Sequence, residues 1–541
     1  MGGKPSPVWH RPLAWLDFDM RILSLFLALA AATSAPLAAQ TDDRPALVVL
    51  ITVDQLRPDY FPRFDADLTG GLRRFYDQGA FYARGEQDHA ITETAPGHAT
   101  MLTGRSPGSV GVVSNNLGVP DPDYPLLGVP GPGASPARFR GTTLYDWMAA
   151  ADRDTRVLSI SRKDRGAILP IGRAKVPVYW FQGGYFTTST WYDNSLPAWL
   201  QKWNDRKPSE RLAGLVWDLF LPADRYQEPD SQPWERGGAY ATFPYPLPTD
   251  TTAVAGWILA IPWADSLVID VALEGVRALG LGTRGHPDLL SVSLSATDAV
   301  GHGWGPDSRE IHDQIVRLDH WMGWFMDSLA TLVPREKTLY ILTSDHGVSS
   351  YPERNASLGR MGGRVSGDRV LGAAEESLQA RHGQTFELAF DNGLIYGNVG
   401  TLKAAGIDVD SLSAALASGL ALETGVTRVL TPRTLAAADA ADREAGRWGR
   451  TIPSDFEWLA AASVAPGYIW TYPTHAIATH GTTTSDDVTV PIAFMGKGIT
   501  PARLARARTV DIAPTIAALL KIQPLETVEG QVLKEVVPPR H

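Results

Sequence analysis

Four apolar runs, each closing on a polar or acidic residue, constrain this chain more than any other feature: ALVVLITV (46–53), TRVLSIS (155–161), DLLSVSLS (288–295) and KTLYILTS (337–344). They are continuous and partly β-branched, the pattern of strands buried on both faces, where no alternate position has to meet water. Segments with helical periodicity lie between them, among them LTGGLRRFYDQGA, GTTLYDWMAAAD and WADSLVIDVALEGVRALGL. Strand alternating with helix predicts an α/β fold with a mainly parallel sheet. In such sheets the ligand site lies beyond the carboxyl ends of the strands. Asp54, Asp298 and Asp345 all fall there.

Two stretches interrupt the alternation. Residues 170–262 are rich in Trp, Tyr, Phe and Pro, and in residues 350–475 Ala-rich helical segments follow a Gly/Arg-rich loop. Both are predicted as insertions carried on one catalytic domain spanning 40–541. The aromatic segment VYWFQGGYFTTSTWYDNSLPAW reads as packing or as a roof over the cleft. VDIAPTIAALLKI (510–522) predicts a late helix and GQVLKEVV a closing strand. At the other end, RILSLFLALAAATSAPLAA has one positive charge, an apolar run and small residues near Ala39. That predicts a signal peptide over 1–39, with Met20 as an alternative start, and a periplasmic or secreted protein. The run is too short for a stable membrane anchor.

Chemistry is limited by what the chain lacks. It contains 0 Cys, which removes disulfides, thiolate ligands, thiol nucleophiles and the formylglycine chemistry of aryl sulfatases and phosphonate monoester hydrolases. With 49 Lys+Arg against 59 Asp+Glu the formal charge is −10, so no nucleic-acid partner held by phosphate neutralisation is implied. Any metal must be held by His and carboxylates.

Such residues gather at the strand ends: Asp54 in LITVDQLRPDY, Asp298 and His302 in SLSATDAVGHGWGP, Asp345 and His346 in LYILTSDHG, and His480 in ATHGTTTSDD. Each fragment alone reads equally as a turn or a hydrogen-bonded core histidine. Jointly, acids following three buried strands in the same way predict a metal centre. At roughly three protein ligands per ion, the set suits two ions. In HAITETAPGHATMLTGR, Thr94 is placed at the N-cap of a helix with Pro96 in its first turn. It is either a cap alone or a hydroxyl made nucleophilic by the helix N-terminus and a neighbouring cation.

VDQLRPDY, TETAPGHATMLTG, DAVGHGWGP, SDHG and HGTTT resemble, in order and over nearly the whole mature chain, the type I phosphodiesterase/nucleotide pyrophosphatase branch of the alkaline phosphatase superfamily. Within it the chain is most similar to the threonine-nucleophile bacterial alkaline phosphatases, the PafA-like group. The resemblance implies an alkaline-phosphatase-like three-layer sandwich with inserted lid or cap segments. It also implies two Zn²⁺ per chain, one on Asp298, His302 and His480, the other on Asp54, Asp345 and His346 with Thr94 as a movable oxygen ligand. Thr94 would be phosphorylated transiently. Asn115, in SVGVVSNN, would bond a phosphoryl oxygen, with Asn116 the alternative register. Lys163 and Arg165, in SRKDRGAILPIG, fall where the group recognises monoesters. Two residues apart, they point the same way if the backbone is extended. A monoester carries charge that a diester lacks, so extra cations suit it.

The expected activity is therefore alkaline phosphatase hydrolysis of small phosphate monoesters. A nucleotide pyrophosphatase/phosphodiesterase would keep the metals and Thr94 without needing Lys163 and Arg165. A noncatalytic metal- or phosphate-binding protein would have lost a ligand or the nucleophile. His98 and His475 read as supporting groups rather than ligands, and Asp486 and Asp487 as surface acids.

Overall fold

All seven side chains of β1 (Leu47–Val53) are buried, and they alternate between two cores. Leu47, Val49, Ile51 and Val53 belong to one; Val48 and Leu50 belong to the other. A strand covered on both faces requires this, and it explains the uninterrupted apolar run. The structure, a computed structural model, describes residues 1–3, 44–238, 242–471 and 477–537, so the expected signal peptide lies outside the described residues.

Among the described residues the central sheet has nine strands: β1, β2 (Ala80–Glu86), β3 (Val157–Ser161), β4 (Val178–Gln182), β5 (Tyr185–Thr187), β6 (Asp288–Leu294), β7 (Thr338–Thr343), β12 (Thr489–Gly496) and β13 (Ala502–Arg508). Its order is β13-β2-β12-β7-β1-β6-β3-β4-β5. β7, β1, β6, β3 and β4 run parallel, β12 runs antiparallel to both its neighbours, and β5 turns back on β4. Helices Gly71–Gln78, Trp263–Leu279 and Arg309–Ala330 cover one face, and Thr94–Met101, Leu144–Ala151 and Ile512–Leu520 the other. This is the expected three-layer α/β sandwich with a mainly parallel sheet. Register sets where the strands stop. Val53 pairs with Leu294, Thr52 with Thr343 and Ser161 with Ser293, so four neighbouring strands end at one level.

Residues 170–262 are not wholly an insertion. Their first part extends the sheet as β4 and β5, with Tyr179 and Phe181 in one core and Val178 and Trp180 in the other. Aromatic residues take the alternating buried places that aliphatic ones take in β1, which disguised the strand. Within 350–475 the chain does build a unit with its own core, including Leu378, Leu412, Leu416 and Leu459. Its sheet is antiparallel, in the order β8-β9-β11-β10: β8 (Leu388–Asp391), β9 (Leu394–Gly397), β10 (Val426–Leu430) and β11 (Trp458–Val464). GQVLKEVV forms no strand: Gln531 N donates to Asp511 Oδ1 and Leu533 N to Thr515 Oγ1, so the segment packs on the start of the last helix rather than on the sheet.

Candidate active site

The shared level of the strand ends brings distant sequence together. Asp54 follows β1, Asp345 and His346 follow β7, Asp298 and His302 lie on the helix Ala296–Trp304 after β6, Lys163 follows β3, and His480 sits in the loop before β12. Asp54, Asp345 and His346 are fully buried, and Asp298, His480 and Thr94 nearly so. Potential ligand atoms of Asp54, Asp345 and His346 lie within 4.8 Å of one another, as do those of Asp298, His346 and His480. His346 is common to both groups. His302 joins through Nε2, 3.1 Å from Asp298 Oδ1.

Backbone carbonyls aim the imidazoles. His302, His346 and His480 place Nδ1 against the carbonyl oxygens of Ala478, Gly347 and Thr92 at 2.7, 2.9 and 2.8 Å. A carbonyl oxygen can only accept, so each Nδ1 carries a proton and each Nε2 is the nitrogen turned toward the cluster, where it can serve as the ligand atom. The rings of His346 and His480 stack at 3.6 Å between centroids. His98 is spent otherwise: Nδ1 meets Thr94 O at 2.9 Å and Asp345 Oδ2 at 3.2 Å, and Nε2 meets Ser293 Oγ at 2.9 Å. It buttresses Asp345 rather than facing the cluster. His475 lies outside the described residues.

The electrostatics are those of a cation site. Burial raises the Asp54 carboxyl, and Asp298 and Asp345 raise it further. Burial alone would raise Asp298 too, but Lys163 and His302 hold it well below the usual carboxylate range. Burial and His480 keep His346 neutral, the form that binds metal. Asp54 Oδ1 and His346 Nε2 are buried with no hydrogen-bond partner among the described residues, and Asp345 Oδ2 has only His98 within hydrogen-bond distance. Buried carboxylate oxygens without a donor are costly unless a cation sits against them, and an O/N donor set without sulfur suits a divalent metal such as zinc. The residues therefore fit metal. Another group, Asp152, Asp154 and His286, lies at the opposite ends of the strands. There His286 turns Nδ1 to Asp152 and Nε2 to Asp154, an ion-pair bridge and not a chelate.

Thr94 opens the helix Thr94–Met101, with Glu93 rather than Thr94 at the N-cap. The helix seats directly on the end of β7: a Cβ at Gly97 would lie 2.3 Å from Asp345 O. Asn115 Oδ1 accepts from Ala95 N at 2.9 Å, so Asn115 caps the helix start beside Thr94, whereas Asn116 bonds Asp391. Lys163 Nζ stands 3.2 Å from Thr94 Oγ1, 2.6 Å from Asp54 Oδ2 and 2.7 Å from Asp298 Oδ2. Arg165 is not on extended backbone. It lies in the first turn of the helix Asp164–Ile168, beside Asp164, and its charge acts on the Glu93 carboxyl. Of the two cations, Lys163 touches Thr94, whereas Arg165 pairs with Asp164.

Four contributors escaped the sequence. Gln55 holds a left-handed φ of 67°, donates from N to Asp345 Oδ1 at 3.2 Å and from Nε2 to Asp298 Oδ1 at 3.1 Å. Largely buried Arg162 bonds Leu259 O and Ser295 O with Nη2 4.0 Å from Asp298 Oδ2. Glu93 is pushed up to about 7 by burial and by Asp391. Asp487, expected at the surface, is buried and pushed up to about 6 by that burial, accepting from Thr482 and Ser349, while Asp486 is exposed. No periodic pattern announces such partners.

The sequence profile of the type I phosphodiesterase/nucleotide pyrophosphatase family matches residues 48–361, which hold every one of these strand-end groups except His480. The chain belongs to that family. Among its relatives, the alkaline phosphatase PhoV of Synechococcus elongatus is 29% identical across 92% of this chain and 94% of that protein. The alkaline phosphatase PafA of Elizabethkingia meningoseptica is 28% identical across 91% and 95%. The crystal structure of wild-type PafA superposes with a TM-score of 0.85 at 27% identity, covering 92% of this chain and 99% of that one. Human ectonucleotide pyrophosphatase/phosphodiesterase family member 7 matches over only 13% of this chain, at 30% identity.

Proposed function

We propose that this family member is an exported alkaline phosphatase that hydrolyses small phosphate monoesters through a phosphothreonine at Thr94. One observation carries the monoester reading: the Lys163 ammonium lies 3.2 Å from the Thr94 hydroxyl oxygen, within a cluster of buried acids and imidazoles. Positive charge there meets the additional negative charge that distinguishes a monoester from a diester. The alkaline phosphatases among the relatives, matched over almost their whole length, support it. Asp298, His302 and His480 would hold one Zn²⁺ and Asp54, Asp345, His346 and the Thr94 oxygen a second, and the ions supply Lewis acidity to the attacking and leaving oxygens of an in-line transfer.

The chain's own groups do the rest. Thr94 Oγ1 gives its proton to solvent water and attacks phosphorus; the O–P bond to Thr94 forms as the bond to the leaving oxygen breaks, and that oxygen takes a proton from water and departs as the alcohol. The helix N-terminus stabilises the oxygen in its anionic form. The Asn115 amide N–H, Lys163 and Arg165 face charge spread over the equatorial oxygens. Water then attacks phosphothreonine from the vacated side, releasing inorganic phosphate and restoring Thr94. Residues 1–39 direct the catalytic domain, 40–541, to the periplasm or medium.

Turnover of an aryl phosphate against a methyl aryl phosphate with the same leaving group tests this. The monoester should be preferred in kcat/KM. Preference for the diester would instead establish the nucleotide pyrophosphatase/phosphodiesterase reading.

A further inference from the structure

The β8–β9 hairpin of the inserted unit reaches into the surroundings of Thr94. Its tip is Asp391-Asn392-Gly393, with Asn392 at φ 45° and Gly393 at φ 91°. Two successive positive φ angles make the tight turn that Asn-Gly favours, and they hold Asn392 rigidly at the tip. Its Nδ2 donates to Glu93 Oε1 at 2.8 Å. Glu93 Oε2 accepts from Asn115 N at 2.7 Å, and Asn115 Oδ1 accepts from Ala95 N at 2.9 Å. A backbone N–H can only donate, so the amide oxygen of Asn115 is spoken for and its NH₂ is the end left for an anion on Thr94. On the other side of the tip, Asp391 Oδ2 accepts from Asn116 Nδ2 at 3.2 Å. The approach is tight. A Cβ at Gly481, next to His480, would lie 2.4 Å from Asn392 Oδ1.

We infer that Asn392 is a positioning residue for phosphoryl transfer: through Glu93 it holds Asn115 so that the Asn115 amide faces the phosphoryl group on Thr94. The inference rests on the phosphatase reading for the role of Asn115. Glu93 is buried and has two carboxylate oxygens; each receives a donor, one from the inserted unit and one from the loop carrying Asn115. Removing the Asn392 donor leaves a buried carboxylate oxygen unsatisfied, and the acid then shifts toward other donors and takes the Asn115 backbone with it.

Asn392→Gly is the clean variant, because glycine keeps the left-handed turn and deletes only the amide. With metal-saturated protein and an aryl phosphate, kcat/KM should fall roughly ten- to hundredfold, the scale of one hydrogen bond to a charged group. Metal content should stay at the wild-type value, and Tm should fall only slightly, through the unsatisfied Glu93 oxygen, with the protein fully folded at the assay temperature. In the Asn115→Ala background, Asn392→Gly should cost almost nothing more, since the residue being positioned is gone. Binding of inorganic phosphate, measured by calorimetry across the same four proteins, reads the coupling without turnover. Wild-type kcat/KM in Asn392→Gly, a full loss repeated on Asn115→Ala, or a loss that tracks metal content overturns the inference. If the wild type prefers diesters, the phosphatase reading fails separately, and the cycle run on the diester still decides Asn392.

Discussion

Lys163 touches Thr94, Asp54 and Asp298 at once, so the proposed monoester specificity should turn on it more than on any other side chain. Replacing Lys163 and Arg165 together with Ala should lower kcat/KM for an aryl monoester about a thousandfold, because the lost contacts are charge-assisted and lie in a buried cleft. Diester turnover with the same leaving group should fall far less; a parallel drop would make the pair general anchors. Thr94 makes a second prediction. Thr94→Ala should abolish acid-stable ³²P labelling of the enzyme while leaving bound metal in place, and Thr94→Ser should keep partial activity, since the hydroxyl survives without the restricting methyl. Label retained in Thr94→Ala would place the nucleophile elsewhere. At this scale the groups that meet in the buried cluster were legible, because Asp, His, Lys and Thr at strand ends have few structural reasons to be there. Their partners were not. Gln55, Glu93 and Asn392 join the site through isolated long-range hydrogen bonds, which leave no spacing in the sequence.

The helix Thr94–Met101 works because it can touch the end of β7. Gly97→Ala would drive a methyl against the Asp345 backbone at 2.3 Å, and neither side is free to give. Overpacking of this kind costs about 1–3 kcal/mol. The variant should therefore melt at lower temperature and bind less metal than wild type, measured by calorimetry and elemental analysis; wild-type values for both would mean that the helix is not the support of Asp345. Elements with strong periodicity are legible in the sequence, as in β1 and the helix Trp263–Leu279. Those whose character depends on neighbours are not. The Lys163–Arg165 segment has the look of extended chain, yet Asp164–Ile168 closes into a helical turn that separates the two cations. The Asn-Gly turn of the β8–β9 hairpin is written in the sequence, but its docking on Glu93 is not.

For the whole molecule the deciding quantity is charge. Asp54, Asp298 and Asp345 are buried close together, and cations must offset their repulsion. Elemental analysis should find about two zinc ions per chain, the stoichiometry of a two-metal site, and chelation should abolish activity and lower Tm. If Asp54 ligates metal as proposed, protons compete with metal for it. Its pKa is raised, so in chelated protein it binds a proton more tightly folded than unfolded, and ionising it as pH rises costs stability. Metal binding requires that ionised form. The Tm difference between zinc-loaded and chelated protein should therefore widen as pH rises through the titration of Asp54, and a gap independent of pH would show that Asp54 is not a ligand. By itself, the sequence determined the layered α/β architecture and the strand ends where His and Asp gather, because burial on both faces and the chemistry of His and Asp are local signals. Only the tertiary structure decided the shared register of β7, β1, β6 and β3, the sharing of His346 between two clusters, and the reach of the inserted hairpin to Glu93. These depend on which segments become neighbours, and a linear pattern of residues does not encode that.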